Sequence, residues 1–178
     1  MYFFDWATFW KYVWPVTAFQ NPLIRTGFVV TIGVSITAQL LGVLLGLFAA
    51  LGKTSKLSLV RWITEAYIWY FRGTPLLVQM VLLFFGFGVT HIYDFPDLTF
   101  WRISITGPVQ AGILALGINE GAYMAEIIRA GIESIDAGQM EAAKSLGMTY
   151  SMAMRRIILP QATKVIIPPL GNEFNNMM

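Results

Sequence analysis

From Thr26 to Gly52 the chain runs for 27 residues without a charged side chain. A helix of about 20 apolar residues is long enough to cross the hydrocarbon layer of a bilayer. Inside lipid the backbone N–H and C=O groups find no water, so a single spanning segment must pair them internally as a helix. This run commits the chain to an integral membrane fold. Within it Gly42 and Gly46 lie four apart, the spacing at which small residues let two helices approach closely in lipid. Composition agrees: 56% of the 178 residues are hydrophobic and 12% are charged, about half the charged share of a soluble domain.

The remaining segments predict an all-α protein with about four spans. Residues 1–21 are aromatic and amphipathic, with Trp6, Trp10, Tyr12 and Trp14 interrupted by Asp5 and Lys11. Such a stretch reads as an interfacial helix lying along the membrane. Residues 22–178 form the spanning domain. A second span is expected over about Trp62–Thr90, broken at Arg72-Gly73-Thr74-Pro75, because Pro75 lacks an N–H and disfavours helix at Thr74. A third runs from near Ile103 to about Ile128, with Gly107-Pro108 at its opening, and a fourth begins near Ala162. Lys53, Lys56, Arg61, Arg129, Lys144, Arg155, Arg156 and Lys164 fall on one side; Lys11, Arg25 and Arg102 fall on the other. Eight against three puts the loop at about 133–160 in the cytoplasm and the N-terminus outside, in a multi-pass protein of the cytoplasmic membrane.

Several classes of function are disfavoured. There is no cysteine and only one histidine, so neither a thiolate nor a histidine metal cluster is expected. An intramembrane enzyme lacks a nucleophile, base and orienting group in any recognisable set. The net charge of +2 does not indicate a nucleic-acid surface. Gly52-Lys53-Thr54 lacks the upstream glycine of a phosphate-binding loop, so no ATPase site is expected in this chain.

The cytoplasmic loop carries the most specific pattern. It reads Glu141-Ala142-Ala143, three residues, Gly147, nine residues, Ile157, one residue, Leu159-Pro160. Two alanines after a glutamate favour helix, and Gly147 suits a left-handed turn that ends it. A second short helical segment follows, with Met148, Met152 and Arg155 at helical spacing. A short helix pair of this kind suits docking into a groove on a partner. The spacing resembles the signature of permease subunits of ATP-binding-cassette (ABC) importers, with every fixed position matched. Arg72-Gly73-Thr74-Pro75-Leu76-Leu77-Val78-Gln79, Ala122-Tyr123 with Glu126, Leu159-Pro160-Gln161-Ala162 and Pro168-Pro169 with Asn172-Glu173-Phe174 further resemble the subfamily that imports polar amino acids.

The resemblance implies an ABC importer type I transmembrane domain. It implies a pair of separate ATPase subunits, with ATP and magnesium bound there and no cofactor in this chain. It implies an extracytoplasmic substrate-binding protein and a second permease subunit, either a copy or a homologue. The coupling helix would be Glu141, Ala142, Ala143 and Gly147, continuing to Leu159 and Pro160. Family members continue through a Lys-Asp-Thr-Ser-Leu-like stretch and one further span, so the expectation is a chain lacking the last span at its C-terminus. The alternatives are a non-transporting remnant or scaffold of the family, or an importer of another small polar solute.

Polar residues within spans are costly and default to functional candidates. Arg72 suits a substrate carboxylate, with a structural ion pair or a side chain reaching to the interface as the alternative. Glu120 and Tyr123 share a helix face and suit a cationic group, with a hydrogen bond to another span as the alternative. Thr74, Gln79, Asn172 and Glu173 complete the expected substrate path. Glu126, Arg129 and Glu133 are spaced for ion pairs with one another.

Overall fold

The computed structural model of the chain describes residues 22–100 and 103–178. The interfacial helix expected over residues 1–21 lies outside the described residues. The uncharged run folds as helix α1, Pro22–Lys53, and ends on Lys53, a cation at the negative end of the helix dipole. Helices α2, Ser58–Gly73, and α3, Leu76–Val89, follow. They cover the residues of the expected second span and are bent by 108° at the break before Pro75, the geometry of a broken span or of a re-entrant loop.

The start of the expected third span is different. Leu98–Phe100 (β1) and Ile103–Ile105 (β2) pair antiparallel, with Leu98 opposite Ile105 and Thr99 opposite Ser104. β-branched Thr99, Ile103 and Ile105 suit a pleated pair better than a helix start. Helix α4 then runs from Gly107 to Glu133, with Pro108 in its first turn. Asp97 Oδ1 accepts from Gly107 N at 2.8 Å and ties the loop to that first turn.

Helix α5, Ala137–Ser145, starts on Asp136, whose Oδ1 accepts from Gly138 N at 2.6 Å. Helix α6, Tyr150–Ala153, starts on Thr149, whose Oγ1 accepts from Met152 N at 3.3 Å. A π-helical turn over Met154–Ile158 joins α6 to helix α7, Leu159–Met177, without a loop. Among the described residues two helices are long and apolar enough to cross a membrane, α1 over Gly27–Lys53 and α4; the bent pair makes a third if taken as one span. Helix α7, the expected fourth, has 19 residues and includes Lys164 and Glu173, and it does not meet that apolar length by itself.

Helix α4 is the centre of the fold, packed against α1, α2, α3 and α7. Its buried face is mostly glycine and alanine, including Ala111, Ala115, Gly121, Ala122 and Ala125. Lipid gives helices no hydrophobic drive to associate, so close packing of small residues supplies it. Gly42 and Gly46 of α1 are the points of closest approach. A Cβ at Gly42 would collide with the Glu120 side chain. One at Gly46 would collide with Met124 Cβ and sit 3.0 Å from both Gly121 O and Ala125 N.

Candidate functional site

The break between α2 and α3 is held by side chains. Gln79 of α3 is buried, 5% exposed, and its Nε2 donates to Phe71 O, Thr74 O and Thr74 Oγ1 at 3.0, 3.1 and 2.7 Å. Asn119 of α4 donates through Nδ2 to Phe71 O at 2.9 Å and to Gln79 Oε1 at 3.0 Å. Thr74 Oγ1 donates to Tyr70 O at 2.8 Å. The polar atoms of Thr74 and Gln79, both expected to face a solute, are therefore engaged with the protein.

Arg72 stands at the end of α2, exposed, with its guanidinium carbon 5.3 Å from the centroid of the Tyr123 ring. That is cation–π distance. Tyr123 was expected to offer this face to a solute; here Arg72 takes it. Among the described residues Arg72 makes no ion pair with a carboxylate, so its donors remain available.

Glu120 lies one residue from Asn119 and is 4% exposed. Its Oε1 accepts from Gln39 Nε2 at 3.4 Å. Gln39, on α1, is itself 7% exposed, and its Oε1 has no partner among the described residues. A buried carbonyl oxygen without a donor costs on the order of 1–3 kcal/mol. Glu173 of α7 is half-buried and close enough to interact electrostatically with Glu120, and Asn172 beside it is exposed. The group therefore brings together two carboxyl side chains and one open amide oxygen at the junction of α1, α4 and α7.

At the far end of α4 the expected ion pairs form. Arg129 donates to Glu126 Oε2 at 2.9 Å and also pairs with Glu133. Lys53, at the end of α1, joins them with its Nζ 2.6 Å from Glu126 Oε1. Sequence reasoning missed Lys53, and it missed Gln39 and Asn119 as site residues. Gln39 did carry a signal, as an amide inside an otherwise apolar span.

The signature loop has the predicted turn. Gly147 has φ +80°, the left-handed region that favours glycine. Gly147 N donates to Lys144 O at 2.9 Å and Met148 N to Ala143 O at 3.1 Å. This pair of bonds is a Schellman ending, which satisfies carbonyls that α5 leaves free. Ala143 and Ala153, one on each short helix, are buried, while Glu141, Ala142 and Lys144 are exposed. Leu146 is 83% exposed at the tip, beside exposed Tyr150. The π turn before Leu159 has a local cause. Pro160 has no N–H for Arg156 O, and Leu159 N bonds five residues back to Met154 O.

Comparison with known proteins agrees with this arrangement. The family described as "Binding-protein-dependent transport system inner membrane component" matches residues 42–178. The chain belongs to that family. It is 39% identical over 98% of its length to an arginine transport system permease protein of Corynebacterium glutamicum, covering 54% of that protein. It is 41% identical over 85% of its length to a probable glutamine ABC transporter permease protein of Bacillus subtilis, covering 65% of it. It is 37% identical over 88% of its length to an L-cystine transport system permease protein of Bacillus subtilis, covering 62% of it. The chain thus spans between about half and two thirds of the length of these relatives. A crystal structure of an amino acid ABC transporter with histidines superposes with a TM-score of 0.82 at 43% identity, covering 99% of this chain and 73% of that one. The shared type I permease fold makes the protein a multi-pass inner membrane component. Relatives named as transport permeases do not favour the scaffold alternative.

Proposed function

We propose that this chain is the permease subunit of an ATP-driven ABC importer that moves polar amino acids across the cytoplasmic membrane. The observation that carries it is the exposed helix–turn–helix at Glu141–Gly147, with Leu146 and Tyr150 raised from its surface. A capped, rigid helix pair with apolar knobs suits a groove on a soluble partner. The partner is a pair of ATPase subunits, which hold ATP and magnesium. Closure of that groove on ATP would bias the spans between two states, and substrate delivery would stimulate hydrolysis in return. An extracytoplasmic binding protein and a second permease subunit complete the assembly. The loop faces the cytoplasm and the N-terminus the outside, as the charge count supports.

The path for the amino acid runs past Arg72, Tyr123, Glu120, Asn172 and Glu173. The unpaired guanidinium of Arg72 suits the α-carboxylate, through two parallel hydrogen bonds. Glu120, with the open Gln39 Oε1, suits the ammonium or a cationic side chain. Gln79 and Thr74 shape the path without contacting the solute. This assignment favours solutes bearing at least one cationic group; Glu173 adds to that preference.

The chain lacks cysteine, which makes the test direct. Ser145 is exposed on α5. A Ser145→Cys variant in membranes is expected to crosslink to an ATPase subunit. Failure to crosslink in membranes that contain the ATPase would overturn the coupling role.

A further inference from the structure

Pro75 has no N–H. In an unbroken helix that N–H would bond to the carbonyl of Phe71, four residues back. The Phe71 carbonyl instead receives Gln79 Nε2 at 3.0 Å and Asn119 Nδ2 at 2.9 Å. Gln79 spends its remaining capacity on Thr74, the extended residue at the break with φ −119° and ψ 146°, and on accepting from Asn119. Irregular backbone at membrane depth persists only where neighbours satisfy its polar groups. Two side-chain amides, one from α3 and one from α4, do so here. An apolar side chain would fill the same volume, so packing alone does not call for amides at these positions. Tyr67 adds a second tie between α2 and α4, its OH donating to Ile118 O at 2.6 Å.

The geometry points to Gln79 and Asn119 as positioning residues: they replace the donor that Pro75 lacks, hold the α2–α3 bend against α4, and thereby fix Arg72 over Tyr123. Arg72 follows Phe71 directly, and Asn119 precedes Glu120 directly, so the clamp joins the backbone beside both proposed substrate contacts. The consequence for transport rests on the function proposed above; the clamp itself does not.

The test uses the full complex, the permease with its second subunit, its ATPase subunits and its binding protein, reconstituted in proteoliposomes. Cysteines replace Glu65 on α2 and Phe85 on α3, both exposed, and carry nitroxide labels. The parent is expected to give one narrow distance distribution. Gln79→Met, which keeps the length and removes the donors, is expected to at least double its width. Asn119→Leu is expected to broaden it less, because the bonds of Gln79 within the bent pair remain. In the same complexes, half-saturation of ATPase stimulation by L-arginine is expected to rise at least fivefold in Gln79→Met, with the maximal rate within twofold. Unchanged width in both variants overturns the clamp. Unchanged width in Asn119→Leu alone removes Asn119 from it. A broadened distribution with unchanged half-saturation overturns the positioning role and leaves the transport reading intact. If L-arginine fails to stimulate even the parent complex, the choice of solute fails, and the distance distribution alone decides the clamp.

Discussion

Gly46→Ala is the substitution whose cost the structure allows to be worked through. The added methyl meets Met124 Cβ, Gly121 O and Ala125 N; the two backbone atoms would lie 3.0 Å from it. None of the three is the flexible end of a side chain, so α1 and α4 must separate. Relief of such a clash costs ~1–3 kcal/mol in a well-packed core, and about 2.5 kcal/mol is reasonable where backbone must move. Alanine recovers ~1 kcal/mol of helix propensity over glycine. The net expectation is destabilisation by about 1.5 kcal/mol. Gly33→Ala on the same helix supplies the control. Nothing lies within 4 Å of its Cβ, so it receives the propensity gain without the clash and is expected to be neutral or up to ~1 kcal/mol more stable. The difference between the two variants, about 2.5 kcal/mol, isolates the packing term. Reversible unfolding in mixed detergent micelles, followed by tryptophan fluorescence, reads it as a shift in midpoint at constant slope. Equal midpoints for the two variants would refute the claim that α1 and α4 touch at Gly46.

Three further outcomes are expected. A double-mutant cycle of Lys53→Met and Glu126→Gln, read in the same unfolding assay, is expected to give a coupling of about 1 kcal/mol, the size appropriate to a partly exposed pair; zero coupling would reduce that contact to incidental. Gly147→Val places a β-branched residue at φ +80°, which costs ~1–2 kcal/mol locally, so crosslinking of the ATPase through Ser145→Cys is expected to fall at least fivefold while membrane abundance, read by blotting, stays level. Asp136→Ala removes the cap of α5 and is expected to lower the stability of the loop by ~1 kcal/mol, seen as faster amide exchange confined to α5.

What was legible in the sequence was whatever chain-local chemistry fixes. The uncharged run specified α1, the Gly107-Pro108 pair opened α4, and Gly147 took the left-handed turn because its neighbours on the α5 side favour helix and glycine ends it without strain. Arg129 found Glu126 and Glu133 because all three lie within two turns of one helix. Contacts between distant segments were not legible. Lys53 and Glu126 are 73 positions apart, and Gln39 and Glu120 are 81 apart. Which face of α1 meets which face of α4 decides both pairs, and no periodicity in either helix alone states it. The break at Pro75 was readable, but the Asn119 amide that donates to Phe71 O at the 108° bend comes from another helix. Gln79 shows the same limit at one residue: an amide in a span marks a polar demand, and only the fold reveals that the demand is Phe71 O and Thr74 O.

The route from the loop to the path is also set by long-range packing. The π turn at Met154–Ile158 keeps α6 and α7 one continuous rod, because Pro160 shifts the bonding register without opening a loop. That rod lies on α4, where Gly131 admits Ile166 so closely that a Cβ on Gly131 would collide with its side chain. The contact lies two residues from Arg129, whose partner Glu126 also holds Lys53 of α1. Under the proposed function, a push on Leu146 has no flexible joint between α6 and α7 in which to dissipate. It would arrive at the Glu126–Glu133 end of α4, the helix that carries Glu120 and Tyr123 further along. Helix α4 thus links the coupling loop to the proposed substrate contacts, and its glycine-rich, alanine-rich face allows four other helices to rest on it closely enough to feel the displacement.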